Sequence, residues 1–474
     1  MRKQLLGLAI TVAILILAIS VWVVFESFRG EKTPTETTTN TTTTEQAATT
    51  ATTDTTTQPI VRSKTFEEHM QSGAEFLALE NFESAETEFA AAAAAEPSAI
   101  EPLLNLAEAQ IQLKELDKAK ANLTAAEQLD ANNKDILTLR GIILLRENNF
   151  LEAEQQFAKA GDAANFWRGV LAAFFDRRDE ALKFLQNTTD ARAPEILGAY
   201  TEYDKFPDSP KTHLDTLLTK AFIAIGEYEL ALAKIGPVLE DDASYRDAWI
   251  LTGYAQFAEG KFELARESWQ TAYALDSSKP ETQYFLGLVN FELKNWNEAE
   301  KFLLLARENN FTAHDLDDKL VELYLQAGKY RAAADLLADA IAKNPNATTE
   351  EFTRAISLFL EKLNDGRAAW SLAALATKRA PESSDAWNLA GWVSLANGYL
   401  AEAQTQLEQA VKLDPKAPWP YFNLGRLFEK KGNASSALAA YHEAFDLDST
   451  GTAGVLAAQN YNRLLSETKP SSNE

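Results

Sequence analysis

The sequence predicts an all-α chain: about eleven antiparallel helix pairs, preceded by a single transmembrane helix and a disordered threonine-rich linker. Three observations carry that expectation. Small residues return every 34 positions over most of the chain, one uninterrupted apolar run lies near its start, and the stretch between them has almost no large apolar side chain.

The apolar run is residues 5–25, without a charge and rich in leucine, isoleucine and valine. At about 1.5 Å per residue it is long enough for a hydrocarbon core of roughly 30 Å. Arg2 and Lys3 precede it, and Trp22, Phe25 and Phe28 gather at its far end, as at a membrane interface. Residues 1–25 therefore read as a short cytoplasmic N-terminus and a signal anchor. Ala18-Ile19-Ser20 offers a small-x-small cleavage site, so removal of the segment is the alternative. The apolar run continues through Val21, Val23 and Val24, which favours retention.

Residues 26–64 are a different material. From 33 to 59 more than half the residues are threonine. Such a segment cannot bury enough surface to offset its ordering entropy, and it reads as a tether averaging roughly 35 Å end to end. An unmodified spacer is expected, with O-glycosylation of the threonines as the alternative.

The periodic part is clearest at residues 246–279. Trp249, Thr252, Gly253, Phe262, Ala265, Trp269 and Ala272 fall at helical spacings, giving each half one apolar stripe. Glu259-Gly260-Lys261 separates the halves, where glycine ends a helix cheaply in the left-handed conformation. Gly253 recurs as Gly287, and Gly391 as Gly425; Ala265 recurs as Ala231, Ala299, Ala333, Ala403 and Ala437. Gly253 and Ala265 suit close approach of two backbones, whereas Trp249 and Trp269 suit the filling of space against a neighbouring pair. The first block runs over 66–190, an irregular connection with Pro194, Pro207 and Pro210 over 191–211, and the second block over 212–451. Residues 348–383 keep register only if two residues are inserted. Residues 452–466 form a terminal capping helix, leaving 467–474 as a tail.

A 34-residue period of helix pairs resembles the tetratricopeptide repeat. Residues 384–417 carry the pattern through Trp387, Gly391, Gly398, Ala403, Leu407, Ala410 and Pro415; 418–451 carry it through Tyr421, Leu424, Gly425, Phe428, Gly432, Ala437, Tyr441 and Ala444. The resemblance implies a right-handed superhelix whose first helices line a concave groove. The groove places it assigns are Ile250, Tyr254, Phe257, Tyr284, Leu288, Phe291, Asn388, Trp392, Phe422 and Arg426, with the centre expected at Tyr254, Phe257, Tyr284 and Phe291. One subgroup of the family grips C-terminal carboxylates with lysine and asparagine. Here the corresponding places hold Met70, Leu104, Thr138, Ile250 and Tyr284, so that activity is not expected.

Other chemistry is sparse. The formal charge of −24 repels phosphate backbones and argues against nucleic acid. Cysteine is absent, which removes disulfides and thiolate sites. His69, His213, His314 and His442 lie in different repeats and make no i, i+4 pair; His69, at the tryptophan place, reads as a packing residue. Asp315, Asp317 and Asp318 lack the glycine and terminal glutamate of a calcium loop and read as a helix cap. No catalysis, metal, cofactor or small-molecule substrate is expected. The functional expectation is a single-pass scaffold of the cytoplasmic membrane, its repeats outside the cytoplasm, binding a protein or peptide partner through the groove. The alternative is an architectural spacer in an envelope assembly for secretion, pili or wall synthesis.

Overall fold

The computed structural model describes residues 64–312 and 315–468. The expected membrane span, the linker up to residue 63, His314 and the tail from 469 lie outside the described residues. Among the described residues no helix is long and apolar enough to cross a membrane, and none is in a strand.

Two compact units are present, one up to Thr282 and one from Gln283. The first holds the pairs α1 (Phe66–Ala78) with α2 (Phe82–Ala95), α3 (Glu101–Gln112) with α4 (Leu116–Leu129), and α5 (Lys134–Arg146) with α6 (Phe150–Ala160). After a 3-10 turn come the short pair α7 (Asn165–Phe174) and α8 (Arg178–Leu185), and an unpaired α9 (Ala193–Asp204). Two regular pairs follow: α10 (Lys211–Ala224) with α11 (Tyr228–Asp241), and α12 (Arg246–Ala258) with α13 (Phe262–Leu275). The boundary falls in the first turn of α14 (Pro280–Glu292), which pairs with α15 (Trp296–Glu308); α16 (Leu316–Gln326) with α17 (Tyr330–Lys343) follow in the second unit. Next are α18 (Thr349–Ser357), extended by a π-helical turn at Leu358–Lys362, with α19 (Gly366–Arg379), and α20 (Ser384–Ala396) with α21 (Leu400–Leu413). The pair α22 (Pro418–Lys430) and α23 (Ala434–Leu447) precedes the closing α24 (Thr452–Thr468).

In seven of the described pairs one side chain of the second helix is set over a glycine of the first, sixteen residues back. A Cβ on Gly253 would lie 2.5 Å from the Trp269 indole, and one on Gly425 would lie 2.5 Å from the Tyr441 ring. Gly73 faces Phe89 in the same way, Gly141 faces Phe157, and Gly287 faces Leu303. Every aromatic knob in this place therefore sits over a glycine. Where the hole holds a larger residue, as in Ala107 against Leu123, the knob is aliphatic and both are fully buried. Trp269 thus fills its own pair rather than a neighbour's space, and its Nε1 donates to the Ile250 carbonyl at 3.1 Å. Trp249 is a latch: its Nε1 donates to the Ala243 carbonyl six residues back, and Trp387 does the same to Pro381. A polar rung also recurs within pairs, twelve residues apart, as Asn122 to Gln110 and Ser268 to Gln256.

The turn between paired helices needs one left-handed residue. Gly260 supplies it at φ 78°. Its neighbours close the helix, with the Gly260 amide on the Phe257 carbonyl and the Lys261 amide on that of Gln256. Lys114 and Lys294 adopt the same conformation at φ 60° and 59° with a Cβ in place.

The connection over 191–211 is more ordered than its prolines indicate. Pro194 is tolerated in the first turn of α9, and Ile196 and Tyr200 are buried in a core that runs on to Leu218 and Phe222. Charges seal this departure from the 34-residue period. The Lys234 ammonium is buried between Asp176 at 2.6 Å and Asp215 at 3.0 Å, and Lys211 bridges the same two carboxylates. Arg146 forks onto buried Glu227, at 2.7 and 3.0 Å, and reaches Glu229.

The two residues that 348–383 has in excess are accounted for separately. The loop from α17 to α18 is one residue longer than that from α13 to α14, and ends in a capping box made by Thr348 and Glu351. The π turn absorbs the other, the Leu363 amide reaching the Leu358 carbonyl and that of Asp365 reaching Phe359. Asp315 holds the N-cap position of α16, but its carboxylate accepts from the Tyr284 hydroxyl at 2.6 Å, and Asp317 pairs with Arg307. His69 half-faces solvent and meets Glu88 at 2.7 Å.

Candidate functional site

Four places on the first helices recur at the cavities of both units. In α20 they are Asp385, Asn388, Leu389 and Trp392, at the i, i+3, i+4, i+7 spacing of one helix face. Thirty-four residues on, α22 presents Trp419, Phe422, Asn423 and Arg426; α18 presents Glu350, Thr353, Arg354 and Ser357. Glu361 joins from the π turn and Leu456 from α24. Together they enclose a cavity of about 770 Å³ in the second unit.

One wall is aromatic, with Trp419 partly exposed and set edge-on to Phe422 at 5.7 Å between centroids. The floor is polar, the Asn423 side-chain Nδ2 donating to Asn388 Oδ1 at 2.9 Å. Arg426 is exposed, lies 5.8 Å from the Phe422 ring centre and reaches Asn423 with a weak bond of 3.4 Å. Glu350, Asp385 and Glu361 stand with Arg354 around the mouth, all exposed. The surface offers apolar faces for a side chain, amides for a backbone and charges of both signs at the rim. Nothing in it is arranged as a nucleophile with a base, and among the described residues no acidic or histidine cluster is placed to hold a metal.

The first unit has a cavity of about 560 Å³ built from the same places: Glu101, Leu104, Asn105 and Glu108 of α3, and Asp135, Thr138, Leu139 and Ile142 of α5. Met70 and Trp167 add to it, and Arg146 and Arg192 reach its edge. Both guanidiniums are engaged, Arg146 by Glu227 and Arg192 by Asp190 at 2.8 Å, with Arg192 also stacked 4.2 Å over Phe166. Water reaches Glu108, but the cavity walls surround it, and that burial pushes its carboxyl above the usual range, opposed by the Arg192 charge.

Of the ten groove places read from the sequence, Asn388, Trp392, Phe422 and Arg426 line the second unit's cavity. Tyr254 and Leu288 are half-buried at the same place as Trp392, and burial pushes the Tyr254 hydroxyl well above the phenol range. Ile250 is closed off at 1 % exposure. Tyr284 is buried and tied to Asp315, its ring 5.0 Å from that of Phe311. Phe257 and Phe291 are core: Phe257 packs on Phe262 at 5.2 Å and Trp269 at 5.5 Å, and Phe291 on Trp296 at 5.5 Å. Those two cannot serve as open anchors, so the expected centre of four rings is not available as it stands. Trp419 and Leu456 are not among the groove places of the sequence, and of the first unit's cavity only Met70, Leu104 and Thr138 are. The 34-residue spacing of Asn388, Phe422 and Leu456 was the available signal.

Models of the tetratricopeptide repeat match residues 100–133, 217–280, 253–311 and 420–450, and one described as a TPR repeat matches 395–432. The chain therefore carries tetratricopeptide repeats in both units, within an all-helical array. Repeats of this kind are in general non-catalytic scaffolds for protein–protein interaction. Among curated relatives, the mouse superkiller complex protein 3 is 25% identical over 249 residues, which are 50% of this chain and 16% of that protein. The TPR repeat-containing protein YpiA of Bacillus subtilis is 21% identical over 248 residues, 52% of this chain and 49% of its own. The chain thus spans half or less of these relatives. Similar solved structures include yeast Tom70, 16% identical with a TM-score of 0.29, over 86% of this chain and 97% of that one. YrrB, described as a TPR protein with an unusual peptide-binding site, is 18% identical with a TM-score of 0.26, over 48% of this chain and 97% of its own.

Proposed function

We propose that this chain is a membrane-tethered, non-catalytic scaffold whose second unit binds a segment of a protein partner in the cavity between α18, α20, α22 and α24. The observation that carries the reading is the convergence of the same register places from three successive helix pairs, with Trp392, Trp419 and Phe422 around one opening. Buried aromatic anchors often dominate such interfaces, and an extended or helical segment suits a groove of this kind. The apolar run at 5–25 and the threonine-rich stretch after it support a single-pass tether in the cytoplasmic membrane. The repeats then lie outside the cytoplasm, at an envelope partner. An architectural spacer role, with contacts spread along both faces and no discrete groove, is the alternative.

The test is Trp392→Ala and Trp419→Ala in the full chain, reading partner affinity and thermal melting together. The groove reading expects affinity to fall roughly thirtyfold for one lost anchor, on the order of 2 kcal/mol, with the melting point nearly unchanged. Unchanged affinity with both tryptophans removed favours the spacer.

A further inference from the structure

We propose that the cavity of the first unit is a second, chemically different docking groove, which takes a segment alternating basic and apolar side chains. Its floor is apolar, made by Leu104, Leu139 and Ile142 on α3 and α5. At its rim stand Glu101, Glu108 and Asp135, all exposed, and among the described residues no cation lies within ion-pair distance of any of them. The two guanidiniums at its edge offset them only in part: Arg146 is matched by Glu227 and Glu229, and Arg192, paired with Asp190, acts on Glu108 from a distance. An apolar floor beneath three carboxylates, none of them in an ion pair among the described residues, is complementary to lysine or arginine spaced between aliphatic residues. It is unfavourable to an acidic segment, since a like charge brought to this rim is repelled. The second unit's cavity differs, because Arg354 and Arg426 stand there among the acids. This inference does not depend on what occupies that other cavity.

The probe is a fluorescein-labelled octapeptide of alternating leucine and lysine, added to the full chain and read by fluorescence anisotropy. Its partners are the same peptide with glutamate for lysine, and tetralysine. The groove binds the leucine–lysine peptide, rejects the glutamate peptide, and prefers the leucine–lysine peptide to tetralysine. The double variant Glu108→Gln with Asp135→Asn weakens binding about tenfold, as expected for two partly screened ion pairs. Thr138→Lys, which places a cation in the cavity, weakens it as well, and Trp392→Ala in the other unit leaves it unchanged. Equal binding to the double variant and the parent overturns the proposal. So does equal affinity for tetralysine, which would mark general attraction to an acidic chain.

Discussion

Replacing Gly253 by alanine adds one methyl group at the tightest point of the α12–α13 pair. The new Cβ lies 2.5 Å from Trp269 Nε1 and 2.6 Å from Cδ1, about 1 Å inside ordinary contact. The indole is fully buried and bonded to the Ile250 carbonyl, so it cannot swing clear. Overpacking of this kind costs about 1–3 kcal/mol, partly offset by roughly 1 kcal/mol of helix propensity gained over glycine. Trp269→Leu alone leaves a void over Gly253, at about 2–4 kcal/mol. The pair together recreates the combination that Ala107 and Leu123 use in α3 and α4. The double variant should therefore cost less than the sum of the singles by at least about 1 kcal/mol. Since repeats couple chiefly to their neighbours, the assay is hydrogen exchange on peptides spanning 246–279, converted to local opening free energies. Single costs that add to within about 0.5 kcal/mol would refute the knob-and-hole account.

Lys114→Gly and Lys294→Gly should each stabilise the chain by up to about 1 kcal/mol in urea unfolding, because a side chain at φ near 60° is strained. Gly260→Ala should lose a comparable amount. Lys234→Met leaves Asp176 and Asp215 with Lys211 alone and should destabilise the first unit by about 1–3 kcal/mol, whereas substituting an exposed lysine such as Lys301 should change little. Burial lowers the His213 pKa, against the raising effect of Glu202, and its Nε2 is buried without a partner. The unfolded chain therefore takes up that proton first, so stability from this group is complete above about pH 6.5 and is lost as pH falls below it. His213→Gln should reduce the drop in melting temperature between pH 7 and 5.5; an identical drop in the variant counts against this assignment.

The helix pairs were legible because a 34-residue period with glycine and alanine in fixed places is imposed by backbone approach, which only small residues allow. The turns were legible through Gly260 and its equivalents, though not at Lys114 or Lys294, where a strained residue carries no compositional mark. Contacts between repeats were less so. Phe257 follows Tyr254 by three residues, about 60° short of a full turn, and that rotation carries it from the groove into its own pair. Composition cannot tell those faces apart. The ordered α9 and the charges that seal it lie where the period fails, and those partners are up to 83 residues apart in sequence, as Arg146 and Glu229 are. The acidic cavity escaped because its members look like ordinary solvated helix positions until α3 and α5 are set side by side.

The most direct test of the binding account is a photo-crosslinking amino acid placed at Ser357, inside the second unit's cavity, in the full chain within its own cells. A matched chain carries it at Glu408, exposed on α21. The groove account predicts an adduct to one partner segment from position 357 that is absent from 408 and disappears with Trp392→Ala. Equal adducts from both positions, or an adduct from 357 that survives Trp392→Ala, would contradict it.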